Sequence, residues 1–311
     1  MIKISLITPN YNYGHFLEKT LKSVLDQRYP ELEYIVLDDG STDGSVGILE
    51  KYESQLSHWE TGPNRGQYRV LTDGLNRSTG DVMGWLNSDD MHLPWTLRAV
   101  GEIFDTFPEV EWISTLQTGL WDFYGMGYKF VSMVGFSLDA FLDGLFFQDG
   151  SAMPEGIWSG TNWQGPIQQE STFWRRSLWE KAGGFVSHEF GSAGDFELWA
   201  RFYEHAELYG VEIPLAGFRL QYQQQSAQEE KYRKFSTTIL SMARQRYGWN
   251  SALDRHEFLR SKNKFPIRIF KSIAPGRFDT WAKKNAYRSK KIVRIKPNSP
   301  DATWAVEDYI F

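Results

Sequence analysis

Short runs of β-branched and aliphatic residues alternate with helical patterns through about the first hundred positions of the chain. Such runs cover residues 2–7, 33–37 and 81–86, and the first of them stops at Pro9. Between the first two runs, apolar residues recur at the three- and four-residue spacing of a helix. Strands that alternate with helices form a mostly parallel sheet with right-handed crossovers. We therefore predict an α/β fold with a mostly parallel, Rossmann-like sheet and helices on both of its faces.

Polar residues follow each of these runs, at 8–12, 38–43 and 87–90. The carboxyl ends of parallel strands lie along one edge of the sheet, and ligands bind outside that edge. The topology therefore predicts that the three polar clusters meet at one binding site. No glycine-rich phosphate loop follows any of the runs. A phosphate-bearing ligand would therefore need a metal ion rather than backbone amides.

Asp89 and Asp90 are the strongest candidates for chemistry in these clusters. Two adjacent carboxylates after a buried strand repel each other and lose hydration. A divalent cation shared with the phosphates of a ligand makes this arrangement tolerable. The alternative is a solvated turn in which Asp90 caps the next helix. The cluster at 38–43 has a similar alternative, because Asp, Gly and Ser also form turns and helix caps without any ligand.

Composition excludes several classes of protein. The chain has 311 residues, no cysteine and a formal net charge of −5. Without cysteine it has no disulfide scaffold, thiolate zinc site or cysteine nucleophile. The acidic balance argues against nucleic acid as the main partner, because phosphate contacts require a basic surface. No stretch reaches the roughly 18 apolar residues that a spanning helix needs, and the N-terminus is not typical of a signal peptide. We expect a cytoplasmic protein that is soluble or peripheral to the inner face of the membrane.

Two stretches depart from the average composition, and each has two interpretations. Residues 121–174 are rich in aromatic side chains, which either pack a subdomain onto the sheet or, at Trp158 and Trp163, form a mobile loop that stacks on a flat ligand such as a sugar ring. Residues 255–296 contain 14 Lys and Arg against two acidic residues. This basic segment is either a solvated face or a peripheral contact with an anionic membrane.

Four blocks of residues together resemble family 2 glycosyltransferases of the GT-A fold. They occur in the order and spacing of that family and are residues 8–12 (TPNYN), 37–43 (LDDGSTD), 84–90 (GWLNSDD) and 169–176 (QESTFWRR). The resemblance implies a GT-A domain over residues 1–225, followed by a helical, basic extension over 226–311. It also implies transfer of a sugar, with inversion, from a nucleotide-diphosphate-sugar donor to a glycan or lipid-linked acceptor in cell-surface polysaccharide synthesis. The cofactor implied is a divalent cation, Mg²⁺ or Mn²⁺.

The resemblance also implies a donor site. Tyr11 would stack on the nucleotide base, and Asp39 would accept a hydrogen bond from the base imide. The further residues that would bind the nucleotide sugar are Thr8, Pro9, Gly66, Gln67, Asn87, Asp89 and Asp90. Asp89 and Asp90 would hold the metal, together with Gln221.

Asp195 lies in a block, residues 194–199, that resembles the family's catalytic segment. It would be the general base, because inversion needs a carboxylate that takes the proton of the attacking acceptor hydroxyl. The alternative is that Asp195 caps the helix that follows it. The residues implied to contact the acceptor or the donor sugar are Trp163, Glu170 and Trp199.

The sequence departs from the family pattern at three positions. Asn87 stands where the family has the first acid of its metal motif, Gly194 where a glutamate often precedes the base, and Gln221 where relatives often have a histidine. The departures weaken the expectation of metal dependence. Two other classes therefore stay open: a sugar nucleotidyltransferase and a non-catalytic protein that binds nucleotide sugars or glycans.

Overall fold

The computed structural model describes residues 1–147, 165–221, 229–249 and 286–311, together with the short pieces 269–270, 272–277 and 280. Within these residues the chain forms a large sheet of nine strands and a smaller sheet of four. The predicted mobile loop around Trp158 and Trp163 lies outside the described residues, and so does most of the basic segment 255–296.

The first part of the chain alternates strand and helix as predicted. Its elements are β1 (Ile4–Asn10), α1 (Gly14–Leu25), β2 (Leu32–Asp38), α2 (Ser45–Tyr52), β3 (His58–Thr61), α3 (Gln67–Arg77) and β4 (Val82–Trp85). β1 pairs in parallel with both β2 and β4, and β2 pairs in parallel with β3. The carboxyl ends of these four strands therefore lie along one edge, which is where the polar clusters follow.

The second part of the chain widens the large sheet and adds the small one. Its elements are β5 (Met91–His92), α4 (Thr96–Thr106), β6 (Trp112–Thr115), β7 (Gln117–Trp121), β8 (Gly127–Ser132), α5 (Leu138–Leu142), β9 (Phe173–Arg175), α6 (Arg176–Lys181), α7 (Gly194–Phe202), β10 (Leu208–Val211) and β11 (Ala216–Arg219). β9 lies antiparallel between β4 and β6, and β10 pairs in parallel with β6. The small sheet has the order β5-β11-β7-β8.

The last described elements are α8 (Glu229–Arg246), β12 (Arg288–Ile295) and β13 (Thr303–Ile310). β12 pairs in parallel with β10 and β13 antiparallel with β12, which gives the large sheet the order β13-β12-β10-β6-β9-β4-β1-β2-β3. α8 agrees with the predicted helical extension, whereas the strand pair is absent from that prediction. The division into domains at residue 225 stays a prediction. None of the helices that the structure describes is long and apolar enough to cross a membrane.

The basic residues of β12 explain why a strand was not expected there. In the sequence they indicate an exposed face, but in the fold they meet acidic residues of other elements. The Lys291 ammonium lies 2.8 Å from the Glu212 carboxylate, and the Arg294 guanidinium lies 2.9 Å from the Glu102 carboxylate. Pairing of this kind allows a charged strand to lie between two other strands of the sheet.

Two hydrophobic cores lie on the two faces of the large sheet. One contains the buried faces of α1, α2 and α4, and the other those of α3, α7 and α8. Successive residues of β1 alternate between the cores, with Leu6 in the first and Ile7 in the second. This alternation follows from the period of two in a strand. The predicted architecture, a mostly parallel sheet with helices on both faces, is confirmed.

Candidate active site

A cleft of about 620 Å³ opens at the carboxyl edge of β1, β2 and β4. The small sheet forms one wall, through side chains such as Leu120, Val131 and Phe218, and the start of α7 forms another. Nine of the residues singled out from the sequence line this cleft: Pro9, Tyr11, Asp39, Gly66, Gln67, Asn87, Asp89, Glu170 and Asp195. Residues more than 180 positions apart in the chain are thereby brought to one surface.

Asp39 fixes one end of the cleft. Its two carboxylate oxygens accept hydrogen bonds from the backbone N–H groups of Arg65, at 2.7 Å, and Gly66, at 2.8 Å. Gly66 has a φ of 92°, a conformation that favours glycine. The carboxylate therefore holds the loop before α3 against the end of β2. Since each carboxylate oxygen has two lone pairs, Asp39 can still accept a hydrogen bond from a ligand.

Thr8 and Tyr11 belong to the same sequence block, residues 8–12, but their side chains lie on opposite sides of the cleft surface, one buried and one exposed. Tyr11 is 44% exposed and presents its ring at the cleft. Thr8 is fully buried, and its hydroxyl lies 3.0 Å from the Tyr34 hydroxyl inside the core. The alternation of β1 turns the Thr8 side chain away from the cleft, so it is not placed to contact a base.

A chain of side-chain amides crosses the floor of the cleft. The Gln67 amide donates to the Asn87 carbonyl oxygen at 2.9 Å, and the Asn87 amide donates to the Gln169 carbonyl oxygen at 3.0 Å. Gln169 in turn donates to the backbone carbonyl of Trp85 at 2.6 Å. An ionised aspartate at 87 would have no proton to donate to Gln169. The departure from the family pattern at Asn87 thus has a structural role, and Gln169 is a residue of the cleft that the sequence analysis did not select.

Asp90 is buried rather than solvated. Its Oδ1 accepts a hydrogen bond from the backbone N–H of Arg219 at 2.8 Å, while its Oδ2 is buried without a hydrogen-bond partner among the described residues. Burial raises the pKa of Asp90 well above its usual range, and the nearby charges of Asp89 and Glu170 raise it further. The alternative of a solvated, helix-capping turn is therefore wrong. Asp90 lies beneath the cleft surface, and Asp89 lies on it.

Asp89 and Gln221 are in direct contact. The Gln221 amide donates to the Asp89 Oδ2 at 3.0 Å and to the Tyr13 hydroxyl at 3.1 Å. Burial raises the pKa of Asp89, although the hydrogen bond from Gln221 opposes this. Gln221 itself is not part of the cleft lining. Its amide positions the carboxylate that does reach the cleft.

Arg219 brings positive charge to these carboxylates. Its side chain is fully buried, donates to the backbone carbonyls of Asp89 and, at 3.0 Å, of Phe123, and lies 4.9 Å from the centre of the Phe16 ring. Charges that are buried are stable when they are paired and hydrogen-bonded. Arg219 therefore offsets part of the repulsion between Asp89 and Asp90.

Glu170 is a buried carboxyl group in the wall of the cleft. It is 3% exposed, and its Oε1 has no hydrogen-bond partner in the part of the chain that the structure describes. Burial raises its pKa to about 8, with a further contribution from the charges of Asp89 and Asp195. At neutral pH the group is therefore mostly protonated. A carboxylic acid can donate one hydrogen bond as well as accept others.

Asp195 is the second residue of α7, whose N-cap is Ala193. Its Oδ1 accepts a hydrogen bond from the adjacent Phe196 N–H at 2.7 Å. Asp195 is therefore not the helix cap that the alternative interpretation requires. Burial raises its pKa to about 6, which leaves the carboxylate ionised at neutral pH but able to take a proton.

Tyr68 explains the glycine that precedes Asp195. A Cβ at Gly194 would lie 2.8 Å from the Tyr68 ring and 2.7 Å from the Ser187 carbonyl oxygen. No side chain fits between them, because both distances are shorter than real Cβ contacts. The Tyr68 hydroxyl donates to the Ser192 carbonyl at 3.2 Å. The ring thus occupies the space that a glutamate side chain would need.

Trp199 lies in the hydrophobic core, so the predicted sugar contact at this position is wrong. It is 1% exposed and stacks on Trp85 and Trp112, with ring centres 5.8 and 5.7 Å apart. Trp85 itself lines the cleft. Trp199 therefore supports the floor of the site from below. The remaining predicted sugar contact, Trp163, falls outside the described residues.

Comparisons with known proteins agree with this geometry. Residues 5–119 match the sequence model of a family described as Glycosyl transferase family 2. TuaG of Bacillus subtilis, a putative teichuronic acid biosynthesis glycosyltransferase, is 39% identical over 90 residues, which are 28% of this chain and 36% of the relative. The chain thus matches the curated relatives over only about a third of their length.

Two solved structures show the same fold over most of the chain. S. aureus TarS 1-349, crystallised in complex with UDP-GlcNAc, has a TM-score of 0.60 and 18% identity, and the match covers 91% of this chain and 79% of that one. The mannosyltransferase PcManGT from Pyrobaculum calidifontis, in complex with GDP-Man and Mn²⁺, has a TM-score of 0.51 and 15% identity over 91% of this chain and 87% of that one.

The chain has the GT-A fold of these two structures. Residues 5–119 match glycosyltransferase family 2. The resemblance found in the sequence is thereby confirmed.

Proposed function

We propose that the chain moves a sugar from a nucleotide-diphosphate-sugar donor to a hydroxyl of a glycan or lipid-linked acceptor, with inversion, in the synthesis of a cell-surface polysaccharide. The observation that carries the proposal is the convergence of three acidic groups on one cleft. Asp39 follows β2, Asp89 follows β4 and Asp195 lies in the first turn of α7, and all three line the same surface. The name of the B. subtilis relative and the donors bound by the two solved structures support the proposed class of reaction.

The donor would bind with its base at the Asp39 end of the cleft. Tyr11 offers an exposed aromatic face for stacking, and Asp39 offers a carboxylate held in place by two backbone N–H groups. The amides of Gln67 and Asn87 lie between this end and Asp89. Hydroxyl groups of a ribose or a donor sugar are suitable partners for such amides.

The residues around Asp89 fit a divalent cation that is shared with the donor. Asp90 has a buried oxygen without a partner, and adjacent carboxylates with raised pKa values favour a bound cation. Within the described residues, no group of three His, Cys, Asp or Glu side chains could hold a metal alone. Mg²⁺ and Mn²⁺ are commonly held by one or two carboxylates plus substrate phosphates and water. When bound, such a cation would neutralise the charge that develops on the departing diphosphate.

Asp195 would act as the general base. The acceptor hydroxyl would attack the anomeric carbon on the face opposite the diphosphate, so that a C–O bond forms as the bond to the diphosphate breaks. The hydroxyl proton would pass to the Asp195 carboxylate. Glu170, which is mostly protonated at neutral pH, would donate a hydrogen bond to a hydroxyl of the donor sugar.

The test compares Asp195→Asn with the wild type and with Asp81→Asn, an exposed aspartate on the same chain. Each protein is incubated with UDP-, GDP-, dTDP- and CMP-sugars and Mn²⁺, and both transfer and donor hydrolysis are measured. We expect Asp195→Asn to keep donor binding and to lose turnover by roughly 10²–10⁴-fold, the usual contribution of a general base. Turnover by Asp195→Asn within a few-fold of the wild type contradicts the assignment. A wild type that binds donors without any turnover favours a binding protein instead.

A further inference from the structure

A second cavity lies beside the cleft and is lined by basic side chains. It has a volume of about 480 Å³, and its charged or titratable lining residues are Arg65, Arg69, His188 and Lys231. No acidic residue is part of the lining among the described residues. We call it the basic cavity. Its charge contrasts with the net charge of −5 of the whole chain.

Two of these cations are available to a ligand. The Arg65 guanidinium lies 2.6 Å from the Asp73 carboxylate and is partly neutralised by it. Arg69 and Lys231 are exposed, and neither side chain has a hydrogen bond or an ion pair with any residue that the structure describes. Unpaired cations that converge on a concave surface raise the local concentration of anions.

The basic cavity adjoins the catalytic side of the cleft. Gly66, Gln67, Tyr68 and Ser192 line both. Tyr68 and Tyr232 line the side of the cleft at Asp195. Burial raises the pKa of both tyrosines, and the charge of Asp195 raises it further. Arg69 and Lys231 are their immediate neighbours in the chain. A ligand that extends past these two tyrosines from Asp195 therefore enters the basic cavity.

We propose that the basic cavity binds an anionic group, a phosphate or a carboxylate, of the acceptor glycan. This inference rests on the proposed function, because Asp195 marks where the acceptor hydroxyl lies. The donor's own diphosphate is a less suitable ligand, since neither Asp89 nor Asp90 lines the basic cavity. The acceptor would thus be a repeating anionic polymer, with the reacting hydroxyl at Asp195 and a neighbouring charged group between Arg69 and Lys231.

The experiment measures binding of defined oligomers to the full chain by calorimetry at low salt. The probes are an oligomer of glycerol phosphate, tetragalacturonate, and neutral maltotetraose. Binding of UDP-, GDP-, dTDP- and CMP-sugars to the same proteins is measured in parallel. The test variant is Arg69→Ala/Lys231→Ala. The control is Arg98→Ala/Lys22→Ala, which removes the same charge from exposed positions outside both cavities. A third variant, Arg69→Lys/Lys231→Arg, keeps both charges.

We expect the wild type to bind at least one anionic oligomer and not maltotetraose. The test variant should bind that anionic oligomer at least about tenfold more weakly than the wild type, as for the loss of paired charges at an interface. The control and the charge-conserving variant should bind as the wild type does, and donor binding should not change in any variant. The phosphate and carboxylate probes distinguish the two sources of charge. Equal weakening in the control, a parallel loss of donor binding, or no binding of either anionic oligomer by a donor-binding wild type overturns the proposal. Failure of every donor to bind counts against the proposed function itself.

Discussion

Glu170 and Asp195 show how the environment of a residue sets its chemistry. Both are acids that would be ionised in water at neutral pH. Burial raises the pKa of Glu170 to about 8 and that of Asp195 to about 6. The first is therefore a neutral hydrogen-bond donor near pH 7 and the second an ionised base. A pair of acids whose pKa values are pushed apart is the arrangement that acid and base roles require.

The stability of the protein should respond to the pKa of Glu170. In the unfolded chain the group ionises near its ordinary value of about 4.3, whereas in the fold it stays protonated until about pH 8. Stability is therefore lost as pH rises between these values and is constant above the higher one. We expect Glu170→Gln to unfold at a higher temperature than the wild type at about pH 8, with a smaller difference at about pH 5. The exposed Glu50→Gln is the control, and thermal unfolding followed by circular dichroism is the measurement. A pH-independent difference contradicts the assignment.

The rate of transfer should respond to the pKa of Asp195. A base must be ionised to accept a proton, so kcat/KM should fall about tenfold for each pH unit below the Asp195 pKa of about 6 and be level above it until other groups titrate. The profile is measured with saturating Mn²⁺ and the best donor. A profile that stays level between about pH 5 and pH 7 argues against Asp195 as the base.

At the scale of elements, the first turn of α7 positions Asp195, the proposed base, through a close contact with Tyr68. Gly194 lies directly against the Tyr68 ring and the Ser187 carbonyl. Here the close packing of Gly194 acts together with the hydrogen bond from the Tyr68 hydroxyl to the Ser192 carbonyl in setting the path of the backbone. The position of Asp195 is therefore sensitive to one methyl group.

Gly194→Ala should displace this turn. The new Cβ would overlap backbone and ring atoms, and overpacking of this kind costs about 1–3 kcal/mol. We expect lower stability in urea and a loss of turnover larger than the loss of donor binding. Gly47→Ala is the matched control: Gly47 lies within α2 with nothing within 4 Å of a Cβ, so the change should stabilise by about 0.5–1 kcal/mol. Equal behaviour of the two variants contradicts the role given to Gly194.

The elements of the fold were more predictable than the contacts within the cleft. Apart from the two-residue β5, the strands and helices up to β6 follow local periodicity, and the strand-end rule suffices to bring Asp39 and Asp89 together. The amide chain through Gln67, Asn87 and Gln169 could not be predicted, because it depends on β9 lying antiparallel beside β4. Trp199 has the helical spacing of a residue on the face of Asp195, but only the packing of α7 on the sheet decides that it lies below the cleft rather than in it.

At the scale of the whole molecule, β12 and β13 form one edge of the large sheet, and the residues beside them attach this edge to the core. Phe311 is fully buried, its backbone exchanges hydrogen bonds of 2.9 and 3.0 Å with Tyr287, and its ring lies 5.2 Å from the Tyr287 ring. The Tyr287 hydroxyl donates to the buried Asp143 carboxylate at 2.7 Å. The strand pair is therefore anchored to the core that contains α5 and α8.

Phe311→Ala should destabilise the protein by about 3–5 kcal/mol, as for other buried phenylalanine side chains. Because the residue is remote from the cleft lining, the affinity for the donor should not change while the protein is folded. Urea unfolding and donor titration measure the two effects. As a control, Tyr124→Ala removes an aromatic ring that is 71% exposed, and it should cost little. A loss of less than about 1 kcal/mol for Phe311→Ala contradicts the anchoring role.

The central claim is that the cleft binds a nucleotide sugar through Asp39 with a divalent cation at Asp89, and thermal stabilisation by donors tests it most directly. UDP-, GDP-, dTDP- and CMP-sugars are each added to the wild type, Asp39→Asn and Asp81→Asn, with and without Mn²⁺. Binding to the folded state alone raises the unfolding temperature with ligand concentration. The account predicts that at least one donor stabilises the wild type and Asp81→Asn, that Mn²⁺ increases the shift, and that Asp39→Asn reduces it. No shift with any donor, or an unchanged shift in Asp39→Asn, contradicts it.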